Sequence, residues 1–283
     1  MPEIQLRGGA LDGLALHYLV EGRGPAVLLL HGLGGFAESW RHNIDYLSRQ
    51  ATVYALDLPG FGLSAKPRTT YRLAFFAEAT RGFATAMGLG RVALVGHSLG
   101  GAVAAAYALA WPADVERLAL LGAVLPGFGY HMSWLYRLMA VRGVGELMSL
   151  CATPRLYKAA IARCFAEPVA AEVAFLVECA YAARTSPEGR AAYLSTLRHV
   201  RADFVDDAEP YRRGLHRLDV PVLAIHGRQD PVVPAEHCAE VVESFRRGTM
   251  RWLDRCGHFP QIEHAGAVNA WLGEFLVGRT APR

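Results

Sequence analysis

The chain has 283 residues, of which 52% are hydrophobic and 19% charged, and a formal net charge of +3. That balance excludes a disordered or fibrous chain and suits a compact α/β protein with many buried strands. Lysine is nearly absent and arginine is scattered rather than clustered, so no nucleic-acid partner is expected.

Five cysteines, at 151, 164, 179, 238 and 256, contain no Cys-x-x-Cys pair and no zinc spacing, and read as reduced, mostly buried thiols. The sequence opens without a basic region, apolar run and cleavage site, so cytoplasmic residence is the expectation. The apolar stretch 92–110 is interrupted by Gly96, His97, Ser98, Gly100 and Gly101. It predicts a buried strand and helix, with no stable membrane insertion.

In chain order, 4–7 and 14–20 predict two short strands joined by a glycine-rich turn, an antiparallel edge. The unbroken apolar run Ala26-Val27-Leu28-Leu29-Leu30 predicts a strand covered on both faces. It ends at His31-Gly32-Leu33-Gly34-Gly35. A helix over 38–48, a strand over 52–56, a loop over 57–64 and a helix over 73–87 follow, then a strand ending at Gly96. After Ser98 comes an Ala-rich helix and a strand over 115–121.

From 123 to 211 the reading is almost wholly helical, with Phe128, Tyr130, Trp134, Tyr136, Phe165, Phe175, Tyr181 and Tyr193 among its aromatics. Strands over 220–227 and 249–253 and helices over 235–244 and 261–277 then close the chain. The alternation of strand and helix implies a parallel sheet with helices on both faces, in one core domain of 1–122 and 212–283 carrying 123–211 as an insertion.

Gly96-His97-Ser98-Leu99-Gly100-Gly101 is the stretch that carries chemistry. A serine between a strand and a helix in so tight a turn takes a strained, positive φ that neighbours without Cβ atoms permit, which lifts its Oγ out of the sheet. The helix N-terminus beyond it favours negative charge at the same place. A serine hydroxyl needs a base and a group to orient that base. In an open parallel sheet, the loops after later strands converge on one crevice. Asp230 follows the strand ending at Ile225, and His258 follows the one near Leu253. The order Ser98, Asp230, His258 is the one this architecture requires.

Asp57 falls too early for the acid and is expected to brace its own loop; His31 and His97 are placed to hold loops beside the site. The expected oxyanion donors are the backbone N–H groups of Leu33 and Leu99.

These five motifs, His31 to Gly35, Asp57-Leu58-Pro59-Gly60-Phe61-Gly62-Leu63-Ser64, the Ser98 elbow, His226-Gly227-Arg228-Gln229-Asp230 and Gly257-His258-Phe259-Pro260, resemble those of the α/β-hydrolase family, in family order over the whole chain. Capped, esterase- and lipase-like members are the nearest match. The resemblance implies a mostly parallel sheet of about eight strands with the second antiparallel, and a helical lid after the sixth strand. It implies that the lid aromatics line an apolar pocket, with Trp134 the candidate substrate contact.

Dehalogenases and most epoxide hydrolases of this fold carry Asp at the nucleophile position, which Ser98 argues against. The expected substrate is a carboxylic ester with a small or medium apolar acyl group. Carbon–carbon hydrolysis of ring-fission products, or lactone hydrolysis, with the same residues is the alternative, and a binding protein that kept the pocket is a third reading. Enzymes of the carbon–carbon kind more often carry a Gly-Asn-Ser-Met elbow and polar lid residues. An inward-facing arginine among Arg137, Arg142, Arg155, Arg163, Arg184, Arg190, Arg198 and Arg201 would favour an acidic substrate. No metal or cofactor is called for, and oligomeric state is left open.

Overall fold

A computed structural model describes residues 2–128, 133–206 and 208–277; the expected aromatic Tyr130 lies outside them. Eight strands form one sheet: β1 (Glu3–Gln5), β2 (Ala15–Gly22), β3 (Ala26–Leu30), β4 (Thr52–Leu56), β5 (Val92–His97), β6 (Val115–Leu121), β7 (Val222–Gly227) and β8 (Gly248–Leu253). Their spatial order is β1-β2-β4-β3-β5-β6-β7-β8. β2 runs antiparallel to both of its neighbours, and every pair from β4 to β8 is parallel.

The continuous apolar runs are explained by what covers the two faces. Leu28 and Leu30 of β3 and Val92 and Leu94 of β5 enter one core cluster, while Val27, Leu29, Ala93 and Val95 enter another. Alternate side chains of one strand point to opposite faces, so a strand covered on both sides must be apolar at every position. One cover consists of helix α1 (Arg41–Leu47), with the preceding turn, and the C-terminal helix, through Trp40, Ile44, Leu47, Val268 and Leu272. The other consists of α2 (Leu73–Ala86) and α3 (Leu99–Ala110), which bring Phe76, Phe83, Val103 and Tyr107.

Between β6 and β7 the chain is helical: α4 (Trp134–Ala140), α5 (Val144–Leu150), α6 (Pro154–Ala162), α7 (Ala170–Thr185), α8 (Pro187–Asp206) and α9 (Ala208–Arg217). α9 extends past the expected limit of 211, and its Leu215 is fully buried in the cluster that holds α3. After β7 come α10 (Ala235–Glu243), and after β8 two helices, α11 (Pro260–Glu263) and α12 (Ala265–Val277), where one was expected. The break falls at His264, which leaves helical geometry at φ −130° and ψ 43° as its ring reaches back to the Arg255 carbonyl (3.1 Å).

The turn from β5 into α3 is closely packed. Ser98 has φ 51° and ψ −118°. A Cβ on Gly96 would sit 2.3 Å from the Gly100 carbonyl oxygen, and one on Gly100 would sit 2.2 Å from that of Leu30. Both obstacles are backbone and cannot swing away. Gly96→Ala is therefore expected to destabilise by about 3 kcal/mol. Gly266→Ala, where a Cβ meets nothing within 4 Å, should be neutral or slightly stabilising. Urea unfolding of both variants checks this, and similar midpoints would contradict the close approach.

Candidate active site

Because β5, β6, β7 and β8 are consecutive in the sheet, the loops after β5, β7 and β8 open onto the same edge. Ser98 follows β5 directly, and its N–H donates to the Leu121 carbonyl of β6 (2.9 Å). Gly122 then turns away at φ 50°, leaving room for Asp230 and His258 to fold back over the end of β6. A Cβ there would already touch both, 3.3 Å from the His258 carbonyl oxygen and 3.5 Å from Asp230 Oδ2.

The structure brings the three expected residues together. His258 Nε2 lies 3.0 Å from Ser98 Oγ, and His258 Nδ1 lies 2.8 Å from Asp230 Oδ2. A carboxylate only accepts, so Nδ1 carries the proton and Nε2 presents its lone pair to the serine hydroxyl. Asp230 Oδ1 accepts from the N–H groups of Val232 (2.7 Å) and Val233 (2.9 Å), and the Asp230 side chain is wholly sealed from solvent. Burial works against charge on Asp230, yet His258 and these amides hold its carboxyl below the usual range. His226 packs beside it, its Nε2 donating to the Val233 carbonyl (2.9 Å); burial keeps this ring below its ordinary pKa and therefore neutral.

Leu33 and Leu99 both border the cavity next to Ser98, and neither backbone N–H donates a hydrogen bond among the described residues. His31 shapes the Leu33 loop, since its Nδ1–H donates to the Gly32 carbonyl (2.8 Å) and its Nε2 accepts from the Leu58 N–H (3.0 Å). Asp57 braces its surroundings as expected: its Oδ1 accepts from Ala37 N–H (2.6 Å) and its Oδ2 from Leu63 N–H (2.7 Å) and His17 Nδ1 (2.8 Å).

Two side chains hold the His258 segment; His97 was expected to hold a loop beside the site, whereas Glu263 was not anticipated. His97 donates from Nε2 to the His258 carbonyl (2.7 Å), which fixes the backbone of His258. Glu263 does so from the side: its carboxylate accepts from the N–H groups of Gly257 (3.0 Å) and Phe259 (3.1 Å), which flank His258, and of Ala166 (2.9 Å) in the helical insertion. The His258 N–H donates to the Cys164 carbonyl (2.7 Å), also in that insertion. A glutamate five residues after a histidine was the available signal, and it reads equally well as a solvated helix residue.

A cavity of about 160 Å³ opens above Ser98. Its walls come from the Leu33 loop, from Phe259, and from Tyr136, Tyr157, Ile161, Leu176, Leu197 and Val200 of the insertion. Trp134 is not among them. It is 74% exposed, because α4 turns Tyr136 toward the cavity and residues two apart on a helix point in nearly opposite directions. No arginine or lysine lines the cavity among the described residues. Of the arginines considered, Arg184 stacks over Tyr193 at 3.3 Å, Arg190 bonds to the Thr185 carbonyl and Arg198 pairs with Glu146. Gln261 was not anticipated; it lines the cavity at 1% exposure with neither end of its amide partnered among the described residues.

With fold and geometry in hand, comparison with known proteins is specific. A family profile described as alpha/beta hydrolase fold matches residues 25–143. A 2-hydroxy-6-oxo-2,4-heptadienoate hydrolase of Pseudomonas putida is 30% identical over 264 residues, covering 90% of each chain. Among solved structures, the 2-hydroxy-6-oxo-6-phenylhexa-2,4-dienoate hydrolase of a Rhodococcus species superposes with a TM-score of 0.83 at 28% identity, over 98% of this chain and 99% of that one. An esterase from Exiguobacterium antarcticum shares the fold, with a TM-score of 0.82 at 21% identity over 98% of this chain and 99% of that one. The chain belongs to the α/β-hydrolase family, and it is a hydrolase.

Two outcomes follow. Burial, with the neighbouring His258 ring adding to it, lowers His97 to about 3, and burial lowers His237 to about 4. Each stays neutral in the folded protein but takes a proton near pH 6.5 once unfolded. Their contribution is intact above pH 6.5 and is lost as pH falls toward the folded values, about 2 kcal/mol each by pH 5. His17, raised by the hydrogen bond it donates to Asp57, works in the opposite direction. Urea unfolding at pH 7.5 and 5 should therefore show a net loss of stability on acidification. Glu263→Ala should slow the reaction of Ser98 with a fluorophosphonate about tenfold to a hundredfold in a folded protein, by loosening the placement of His258.

Proposed function

We propose that this chain hydrolyses a carbon–carbon bond next to a ketone in a conjugated ring-fission product, with Ser98 as nucleophile, His258 as base and acid, and Asp230 as its orienting group. Ester cleavage was the first expectation from sequence and carbon–carbon cleavage the alternative. The relatives named above favour the alternative, and the observation that carries it is the Ser98–His258–Asp230 hydrogen-bond chain within a protein 30% identical to a heptadienoate hydrolase.

Ser98 Oγ adds to the ketone carbon while His258 Nε2 takes its proton. The N–H groups of Leu33 and Leu99 hold the oxyanion. The substrate reacts as its 2-oxo tautomer, in which the carbon next to the ketone is tetrahedral; collapse breaks the bond to that carbon, whose electron pair spreads into the conjugated 2-oxo-alkenoate, and His258 returns the proton to that fragment. Water activated by His258 then hydrolyses the acyl-enzyme. The helical insertion serves as the lid that keeps the cavity apolar, and the Gln261 amide offers a donor and an acceptor to a polar group of the substrate.

A second reading rests on a specific observation. The cavity presents no cation to a substrate carboxylate among the described residues, which suits a neutral ester of small or medium acyl chain.

Both substrates should be tried on the wild type and on Ser98→Ala. Ser98-dependent loss of the absorbance of a 2-hydroxy-6-oxo-dienoate, at a higher kcat/KM than for p-nitrophenyl esters, supports the first reading; the reverse ranking supports the second. Ser98→Ala should lower the faster reaction by about 1,000-fold or more without unfolding the protein.

A further inference from the structure

Eleven large apolar side chains are exposed among the described residues, and six of them fall within 134–150: Trp134, Leu135, Leu138, Val141, Leu147 and Leu150. Trp134 is 74% exposed, Leu147 63% and Leu150 64%. Such a concentration is unusual for a surface that meets only water, whereas single exposed residues elsewhere need no explanation. The inner side of α4 is apolar as well, with Tyr136, Met139 and Ala140 packed against the core, so this helix is apolar nearly all round with one side left uncovered.

The charge of the same region is one-sided. Between 133 and 163 the cations are Arg137, Arg142, Arg155, Lys158 and Arg163, and the single acid is Glu146, which is paired with Arg198 at 2.8 Å. Arg137, Arg142 and Arg201 are exposed and make no ion pair among the described residues. A shallow hollow collects both properties, bordered by Arg137 and Arg201 and floored by Trp134, Leu138 and Val141.

We propose that the outer face of α4 and α5 docks on an anionic phospholipid membrane. Apolar tips ringed by unpaired arginines match an interface where acyl chains lie just beneath phosphate groups. A second copy of the chain fits poorly, because a two-fold contact through this face would bring two sets of the same arginines into one interface with no acid between 133 and 163 free to offset them. Spanning is excluded for these elements, since α4 and α5 have seven residues each, and no helix among the described residues is long and apolar enough to cross a membrane. The seat is therefore peripheral. Tyr136 lines the reaction cavity from the same helix, so the docked face and the cavity share one wall.

Sedimentation with vesicles of phosphatidylcholine, with and without phosphatidylglycerol, tests this on the intact chain. The protein should pellet with the anionic vesicles and be released by salt. Arg137→Glu combined with Arg142→Glu, and separately Leu147→Ser combined with Leu150→Ser, should each weaken binding at least about tenfold. Both variants should keep the wild-type rate of Ser98 labelling by a fluorophosphonate without vesicles, which shows that they are folded. Three results would overturn the proposal: no binding, equal binding to neutral vesicles, or a stable dimer in solution that the leucine substitutions dissociate.

Discussion

Two stretches of backbone approach each other where β5 turns into α3, with Gly96 against Gly100 and Gly100 against the end of β3, and no side chain fits between them. This approach lets a helix begin directly after a strand, with the intervening serine at φ 51°. Strain of that kind persists only where the surroundings fix it. Here β3 and β5 bury apolar side chains on both faces, so the cost at one residue is carried by the burial of two core clusters. The same approach brings the end of β3, and with it the Leu33 loop, beside Ser98.

Around this turn the titratable groups are sorted by environment. Asp57 and Asp230 stay charged although buried, because each accepts backbone N–H bonds and faces a histidine. His31, His97 and His226 lie so deep that the neutral ring is favoured, and each uses one ring nitrogen to hold a named carbonyl. A protonated His97 would face the His258 ring 4.9 Å away. Keeping it neutral leaves Asp230 as the charged partner of His258.

Most of the fold was legible because its signals are local. Five-residue apolar runs announce strands covered on both faces, glycines announce the elbow, and the order of serine, aspartate and histidine follows from where strand ends meet. Direction within a helix was not legible: nothing in the spacing of Trp134 and Tyr136 tells which faces the cavity until α4 is docked. Glu263 and Gln261 were missed for a related reason. A glutamate and a glutamine near a helix start are ordinary surface residues by composition, and their importance comes from amides and a cavity contributed by distant segments. The arginines posed the opposite problem, since sequence could enumerate them but not show that they stack on rings, pair with acids or face outward.

His258 is held in part by the insertion itself, through the Cys164 carbonyl on its own N–H and through Glu263, which ties Ala166 to the amides on either side of it. The helices between β6 and β7 and the His258 loop are thus spliced together at one seam rather than hinged over one another. Exchanging the helices between relatives would transplant a pocket wall and sever that seam at once. A well-folded chimera would have to carry the 164–166 turn and the 257–263 loop as a single graft, so pocket shape and the placement of His258 are inherited jointly and diverge as a pair.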